Sequence, residues 1–397
     1  MRLASIALAA VTALLLVVSS ASASGGFGDA TQFGNGKNAA LGRAVRFCNV
    51  YKGDAQLRSC LTNELAQVVI ASHDSADELP RIDAYVAQVG GFVQANCHAL
   101  MHGVGRRYAA SVHLTIGRLL DYLPKSNNAN CSAGFGHGLL MYLAPQIGSL
   151  SPKEAAQTCN GARTRYQRYS CTHGFGHAYM RLYGEQLPYA LHACRLLGSD
   201  EAADCAAGAF HDYWLAVSGV DNTRHLFQQL ITSPRQLCAT QSFGFVRGCW
   251  YRAFLEHPPK RPIRTAADVR GTCAGLTGLQ YGSCVTAAVL VSEDDPFFEM
   301  NLCVALRGSD AADCVRGVRV PDLAQGPGAA RLRLIRQCAD VFHPAQKACY
   351  HWLGTALNVV TNGRFEHAGC PALRFAATRE ACTAGAKAYE GPLVTFA

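Results

Sequence analysis

The stretch Cys194-Arg-Leu-Leu-Gly-Ser-Asp-Glu-Ala-Ala-Asp-Cys205 sets two cysteines 11 positions apart, and the rest of the chain repeats that interval. Seven further pairs are 11 or 12 positions apart: Cys48 with Cys60, Cys159 with Cys171, Cys238 with Cys249, Cys273 with Cys284, Cys303 with Cys314, Cys338 with Cys349, and Cys370 with Cys382. Together they use sixteen of the eighteen cysteines and leave Cys97 and Cys131. The second member of each pair, taken with these two, falls at 60, 97, 131, 171, 205, 249, 284, 314, 349 and 382, at intervals of 30 to 44 residues. That is the length of one helical hairpin in a solenoid.

The segments between these cysteines read as helices. Ile82, Tyr85, Val86, Val89, Phe92 and Val93 fall on one face of a 3.6-residue period, and strand-like alternation is nowhere sustained. Within a unit the first Cys follows an Ala- and Leu-rich helix end. The second Cys is expected to open the next helix behind a capping residue such as Asn96, Asn130, Ser170, Asp204 or Asp313. The expected fold is all-α: a disulfide-stapled αα-hairpin repeat, an α-solenoid of about ten units whose second helices form one wall. Many connectivities are formally open to the cysteines; local pairing is expected because the same spacing recurs eight times, the alternative being a non-repetitive disulfide-rich fold. Each bridge would contribute roughly 3 kcal/mol through the unfolded chain. Cys97 and Cys131 are expected to bridge each other across adjacent units, the alternative being free thiols at helix starts. The arrangement resembles the cysteine-rich Sel1-like helical repeats, in which a disulfide also ties the two helices of a unit. Their glycine-valine-aspartate turn signature is absent here, so no functional residue is carried over.

Residues 1–23 carry Arg2, an apolar run from Ala4 to Val18 and the tripeptide Ala21-Ser22-Ala23, the layout of a secretory signal peptide. No later stretch is apolar enough for a transmembrane anchor, and the first cysteine, Cys48, lies too far in for a lipid anchor. The even count of eighteen cysteines agrees with a secreted or periplasmic location. After an N-terminal segment, 24–44, residues 45–397 read as a single repeat domain, with His-rich units over 61–215 and scaffold units over 216–397. Pro258 to Pro262 and Pro321 to Pro327 read as longer loops between units. Charged residues are only 16%, and the net charge of +8 is spread along the chain, densest between Arg316 and Arg336; no concentrated basic face points to nucleic acid.

The chemistry concentrates in the early units. Cys131-Ser-Ala-Gly-Phe-Gly-His137, Cys171-Thr-His173-Gly-Phe-Gly-His177 and Cys205-Ala-Ala-Gly-Ala-Phe-His211 each place a His six positions after the Cys, and the preceding unit reads Cys97-His98-Ala-Leu-Met-His102. His98 with His102, and His173 with His177, are four apart and share a helix face. Stacked second helices would line up all six histidines along one strip of surface. Tyr108, Tyr142, Tyr179, Tyr213 and Asp212 would border it, either as partners that orient the imidazoles or, for the tyrosines, simply as core residues. In later units the same position holds Leu255, Leu290, Val320, Thr355 and Ala388, so the repeat folds without histidine there. Gly134, Gly136, Gly174 and Gly176 inside helices each cost roughly 1 kcal/mol against Ala, so a close helix neighbour or a ligand must need their space.

Two functions fit. One is an exported metal-binding protein, or a metalloenzyme if a coordination position is open, with His98, His102, His137, His173, His177 and His211 as ligands for zinc or copper. Haem is the lesser option, since no Cys-x-x-Cys-His motif occurs. The other is a scaffold with structural histidines that binds a protein, peptide or small molecule on its concave face. No His-Glu-x-x-His, Gly-x-Ser-x-Gly or phosphate-binding glycine loop is present, and the isolated His257, His343, His351 and His367 read as surface or core residues.

Overall fold

The computed structural model describes residues 38–124, 130–163, 165–218, 230–242, 244–293, 295–319, 328–360 and 369–387. The expected signal peptide, the Pro321–Pro327 loop, Val320, His367 and Ala388 lie outside them. The described residues are helical with no strand, running as α1 (Ala39–Cys48), α2 (Asp54–Ser72), α3 (Ser75–Val89), α4 (Gly91–Ser111), α5 (Leu119–Tyr122), α6 (Asn130–Tyr142), α7 (Ala144–Ile147), α8 (Pro152–Asn160), α9 (Arg165–Leu182) and α10 (Leu187–Arg195). There follow α11 (Ser199–Val217), α12 (Pro234–Cys238), α13 (Val246–Glu256), α14 (Ala266–Cys273), α15 (Gly278–Leu290), α16 (Pro296–Val304), α17 (Gly308–Val315), α18 (Gly328–Asp340), α19 (His343–Val360) and α20 (Ala376–Lys387).

The ten second helices, α2, α4, α6, α9, α11, α13, α15, α17, α19 and α20, pack each against the next to form a continuous wall. The first helices of the units lie against them. Every cysteine is paired: the eight short-range bridges close as the spacing implies, and Cys97–Cys131 ties α4 to α6 across units. Such bridges persist in oxidising compartments. Among the described residues no helix is long and apolar enough to cross a membrane.

The helix starts differ from the expectation. In eight of the ten units the second Cys sits six residues inside its helix rather than at its start, as Cys205 in Ser199–Val217 and Cys314 in Gly308–Val315 show. Cys249 instead lies in the first turn of Val246–Glu256, and Cys131 follows Asn130 at the start of the described helix. Asn96, Ser170, Asp204 and Asp313 are therefore interior residues. Asn96, for instance, donates back to the Phe92 carbonyl and accepts from Arg58, while Asp313 pairs with Arg316. The chain instead reverses at Gly198 (φ 116°) and Gly308 (φ 60°), a left-handed turn that side-chain-bearing residues rarely adopt. Side-chain caps appear elsewhere, on first helices: Ser151 and Thr265 form capping boxes with Glu154 and Asp268.

The wall also winds more tightly than a flat strip. Among the histidine-bearing second helices, two pairs meet backbone to backbone at glycine. A Cβ on Gly134 or Gly138 of α6 would fall on the His98 or His102 carbonyl of α4, and one on Gly176 of α9 would fall on the Cys205 carbonyl of α11. Close packing is thus what these glycines serve, and it recurs at Gly354 and Gly385 between α19 and α20, away from the histidines. The result is a curl in which α4 and α11, separated in the series by α6 and α9, face each other: the rings of His98 and His211 lie 4.8 Å apart.

Candidate metal centre

The six histidines occupy the axis of this curl. His98 and His102 come from α4, His137 from α6, His173 and His177 from α9, and His211 from α11. Neighbouring rings are 4.6 Å apart for His137 with His173 and with His177, 4.9 Å for His98 with His102 and for His102 with His177, and 5.2 Å for His177 with His211. They form a buried cluster, not the surface strip that straight stacking predicts. His137, His173, His177 and His211 are at most 3% exposed, His102 is 6% exposed, and His98 is half-buried. The glycine contacts hold α4 against α6 and α9 against α11 at backbone distance around the cluster.

Ligand atoms from His98, His102, His137 and His211 all lie within 4.8 Å of one another, as do those of His137, His173, His177 and His211, and those of His102, His177 and Asp212. His137 Nδ1 and His102 Nε2 are 3.4 Å apart. Two nitrogens each 2.0 to 2.1 Å from one tetrahedral ion would be separated by about 3.3 to 3.4 Å. His137 Nε2 and His211 Nδ1 are buried without any hydrogen-bond partner. Burial, then the neighbouring imidazoles, hold the pKa of His137 well below 6.5; His102 and His211 are held low in the same way, with Arg252 adding to the effect. These three rings are neutral at pH 7 and keep a lone pair for a Lewis acid. The cluster can therefore hold a metal ion.

Acidic side chains orient the rings from outside. Asp212 Oδ1 lies 2.7 Å from His177 Nδ1, the carboxylate-histidine pairing that turns the other ring nitrogen toward a metal. Glu256 Oε1 lies 3.2 Å from His211 Nε2, which leaves Nδ1 facing the cluster. Burial pushes the Glu256 carboxyl up to about 7 against the pull of Arg252.

His173 joins the cluster but stands differently. Tyr169 Oη lies 3.2 Å from its Nδ1, and Arg252 Nη2 lies 3.4 Å from its Nε2. A guanidinium only donates, so the Nε2 lone pair of His173 faces Arg252, and Nδ1–H donates to Tyr169.

Of the expected neighbours only Asp212 is at the site. Tyr108 packs on Tyr122 and Phe135, Tyr179 on Phe175 and Tyr183, the Tyr213 hydroxyl bonds the Ile231 backbone, and Tyr142 packs against the apolar core. Each follows its histidine by two or more positions that turn it off the inward face. Tyr169, Arg252 and Glu256 take their place, so α13, expected to be scaffold, supplies two residues to the centre. Tyr169 precedes His173 by four and could have been read from that spacing. Arg252 and Glu256, also four apart, carried no signal to distinguish them from a solvated helix face. His257 stacks on Trp214, 15° from parallel, outside the cluster.

Comparison with protein-family models, curated proteins and solved structures found no match. Fold and site define the class by themselves: a disulfide-stapled α-solenoid wound around a buried histidine cluster able to hold a metal.

Proposed function

We propose that this chain is a secreted or periplasmic metalloprotein that binds zinc or copper through His98, His102, His137 and His211, with His177 held beside them by Asp212. The observation that supports the reading is the convergence of imidazole nitrogens of His98, His102, His137 and His211, from three helices, all within 4.8 Å of one another. His137 Nδ1 and His102 Nε2, at 3.4 Å, are close to the separation of two ligands on one tetrahedral ion. The two histidine tetrads share His137 and His211, which favours one ion per chain over two. Asp212 and Glu256 offset the ion's charge, while Arg252 beside His173 opposes it, so His173 ligates only if Arg252 turns away.

Elemental analysis of protein purified without an affinity tag tests this. Near-stoichiometric zinc or copper is expected, lost in His137→Ala/His177→Ala and retained in His173→Ala. Wild-type protein that is folded, metal-free and unable to take up either ion would refute the reading and favour a scaffold with structural histidines.

Asp212 sets a finer expectation. Asp212→Asn keeps the shape but weakens the acceptor behind His177, and removing such outer partners typically lowers metal affinity about 10- to 100-fold. Competition with a chromogenic chelator measures it; an affinity within twofold of wild type would remove Asp212 from the role.

A further inference from the structure

One cavity of about 460 Å³ opens against the centre, and its lining differs in character from the rest of the fold. Arg58 of α2, Arg106 and Arg107 of α4, and Arg181 of α9 line it, with no carboxylate among the lining residues. Thr62 and Asn63 add polar groups, while Leu100, Met141 and Leu215 form an apolar side. Its one histidine is His102, so the cavity reaches the cluster where Arg106 follows His102 by one helical turn.

Helix dipoles do not account for four guanidiniums here. Arg181 lies in the last turn of α9, where a cation is favoured, but Arg58 lies near the start of α2, where it is not. Arg58 Nη1 donates to Asn96 Oδ1 at 3.1 Å, Arg181 Nη1 is 3.6 Å from Glu185 Oε1, and Arg106 too is engaged within the fold. Gathering like charges around one concavity costs Coulomb energy that an anion would offset. Guanidinium forks match the paired oxygens of phosphate and carboxylate, and the volume suits a small organic molecule.

We infer that this cavity binds a small organic oxyanion, its phosphate or carboxylate head clamped by Arg58, Arg106, Arg107 and Arg181 and its apolar body against Leu100, Met141 and Leu215. Delivery of that head toward an ion ligated by His102 rests on the metal-binding reading. Binding of the anion itself does not.

Isothermal titration calorimetry on the full chain, metal-loaded and chelator-stripped, tests both levels, with phenyl phosphate, benzoate and inorganic phosphate as probes. Saturable binding is expected for phenyl phosphate or benzoate, tighter than for inorganic phosphate, and whichever binds better identifies the head group. Arg58→Gln/Arg107→Gln should weaken it at least tenfold with metal content unchanged. Arg107→Gln alone, at an exposed position, should weaken it less and guards against a folding defect in the double variant. Equal binding by the stripped protein supports the cavity even where no metal is found, which separates this inference from the metal reading. No saturable binding of any probe, or unchanged affinity in both folded variants, overturns it.

Discussion

Gly176→Ala is expected to destabilise the protein by about 3 kcal/mol or more, the upper end of what overpacking costs, and to abolish metal binding with it. The added Cβ meets only backbone: the Cys205 carbonyl, the Ala209 nitrogen and Gly208. No side chain can swing aside, so α9 and α11 must move apart. Both helices are tied to their own units by Cys159–Cys171 and Cys194–Cys205, which limits how far they can move without strain. Gly176 lies one residue before His177, and its contact Gly208 lies three before His211, so any separation opens the cluster directly. Gly271→Ala in α14 supplies the opposite sign: nothing lies within 4 Å of its Cβ position, and the residue is exposed in a helix. That substitution should stabilise by up to about 1 kcal/mol through helix propensity alone. Urea unfolding with disulfides intact distinguishes them. A Gly176→Ala midpoint equal to wild type would mean that the glycine contacts do not set the helix spacing.

The repeat was legible because the cysteine spacing is a covalent constraint, carried in sequence independently of packing. The pairing of Cys97 with Cys131 could be inferred by elimination alone. The helix starts were not legible, because Asp204 and Asp313 are good capping types that form interior contacts once Gly198 and Gly308 make the turn. The six histidines were legible from their register after the cysteines, and the later units, with Leu255 and Leu290 in that register, showed that they are not needed for folding. Their burial was not legible. Curvature depends on how closely two backbones approach, and the sequence states only that Gly134 and Gly176 allow it. For the same reason Arg252 was hidden: it reaches His173 on α9, two places along the wall, only after the wall curls, while Glu256 meets His211 from the adjacent helix without any sequence mark of that contact.

Acidification should unfold the metal-free protein steeply. His102, His137, His173 and His211 all have pKa values held well below 6.5, chiefly by burial and further by one another, with Arg252 adding to the effect at all but His137. Below about pH 6.5 the unfolded chain protonates these four rings while the folded chain keeps them neutral, so the unfolded state binds more protons and stability falls as pH falls. One proton is worth about 1.4 kcal/mol per pH unit, and four in concert approach about 5 kcal/mol per unit well below pH 6.5. Glu256 acts in the opposite direction. Its folded pKa of about 7 lies above the ordinary carboxyl value of 4.5, so the folded state holds an extra proton between these values, and the corresponding stability is lost as pH rises through 7. One proton against four leaves acid as the dominant hazard. A bound ion must give way to the same protons, so metal release and unfolding should be coupled in the holoprotein and the transition should move to lower pH. Urea midpoints of the stripped protein between pH 8 and pH 5, beside His137→Leu, measure this. The wild-type midpoint should fall sharply below pH 6.5, and the variant, with one ring fewer to protonate, should fall less steeply. A wild-type midpoint that is flat from pH 7 to pH 5 would show that the rings titrate freely in the folded chain, and with that the buried cluster itself would be wrong.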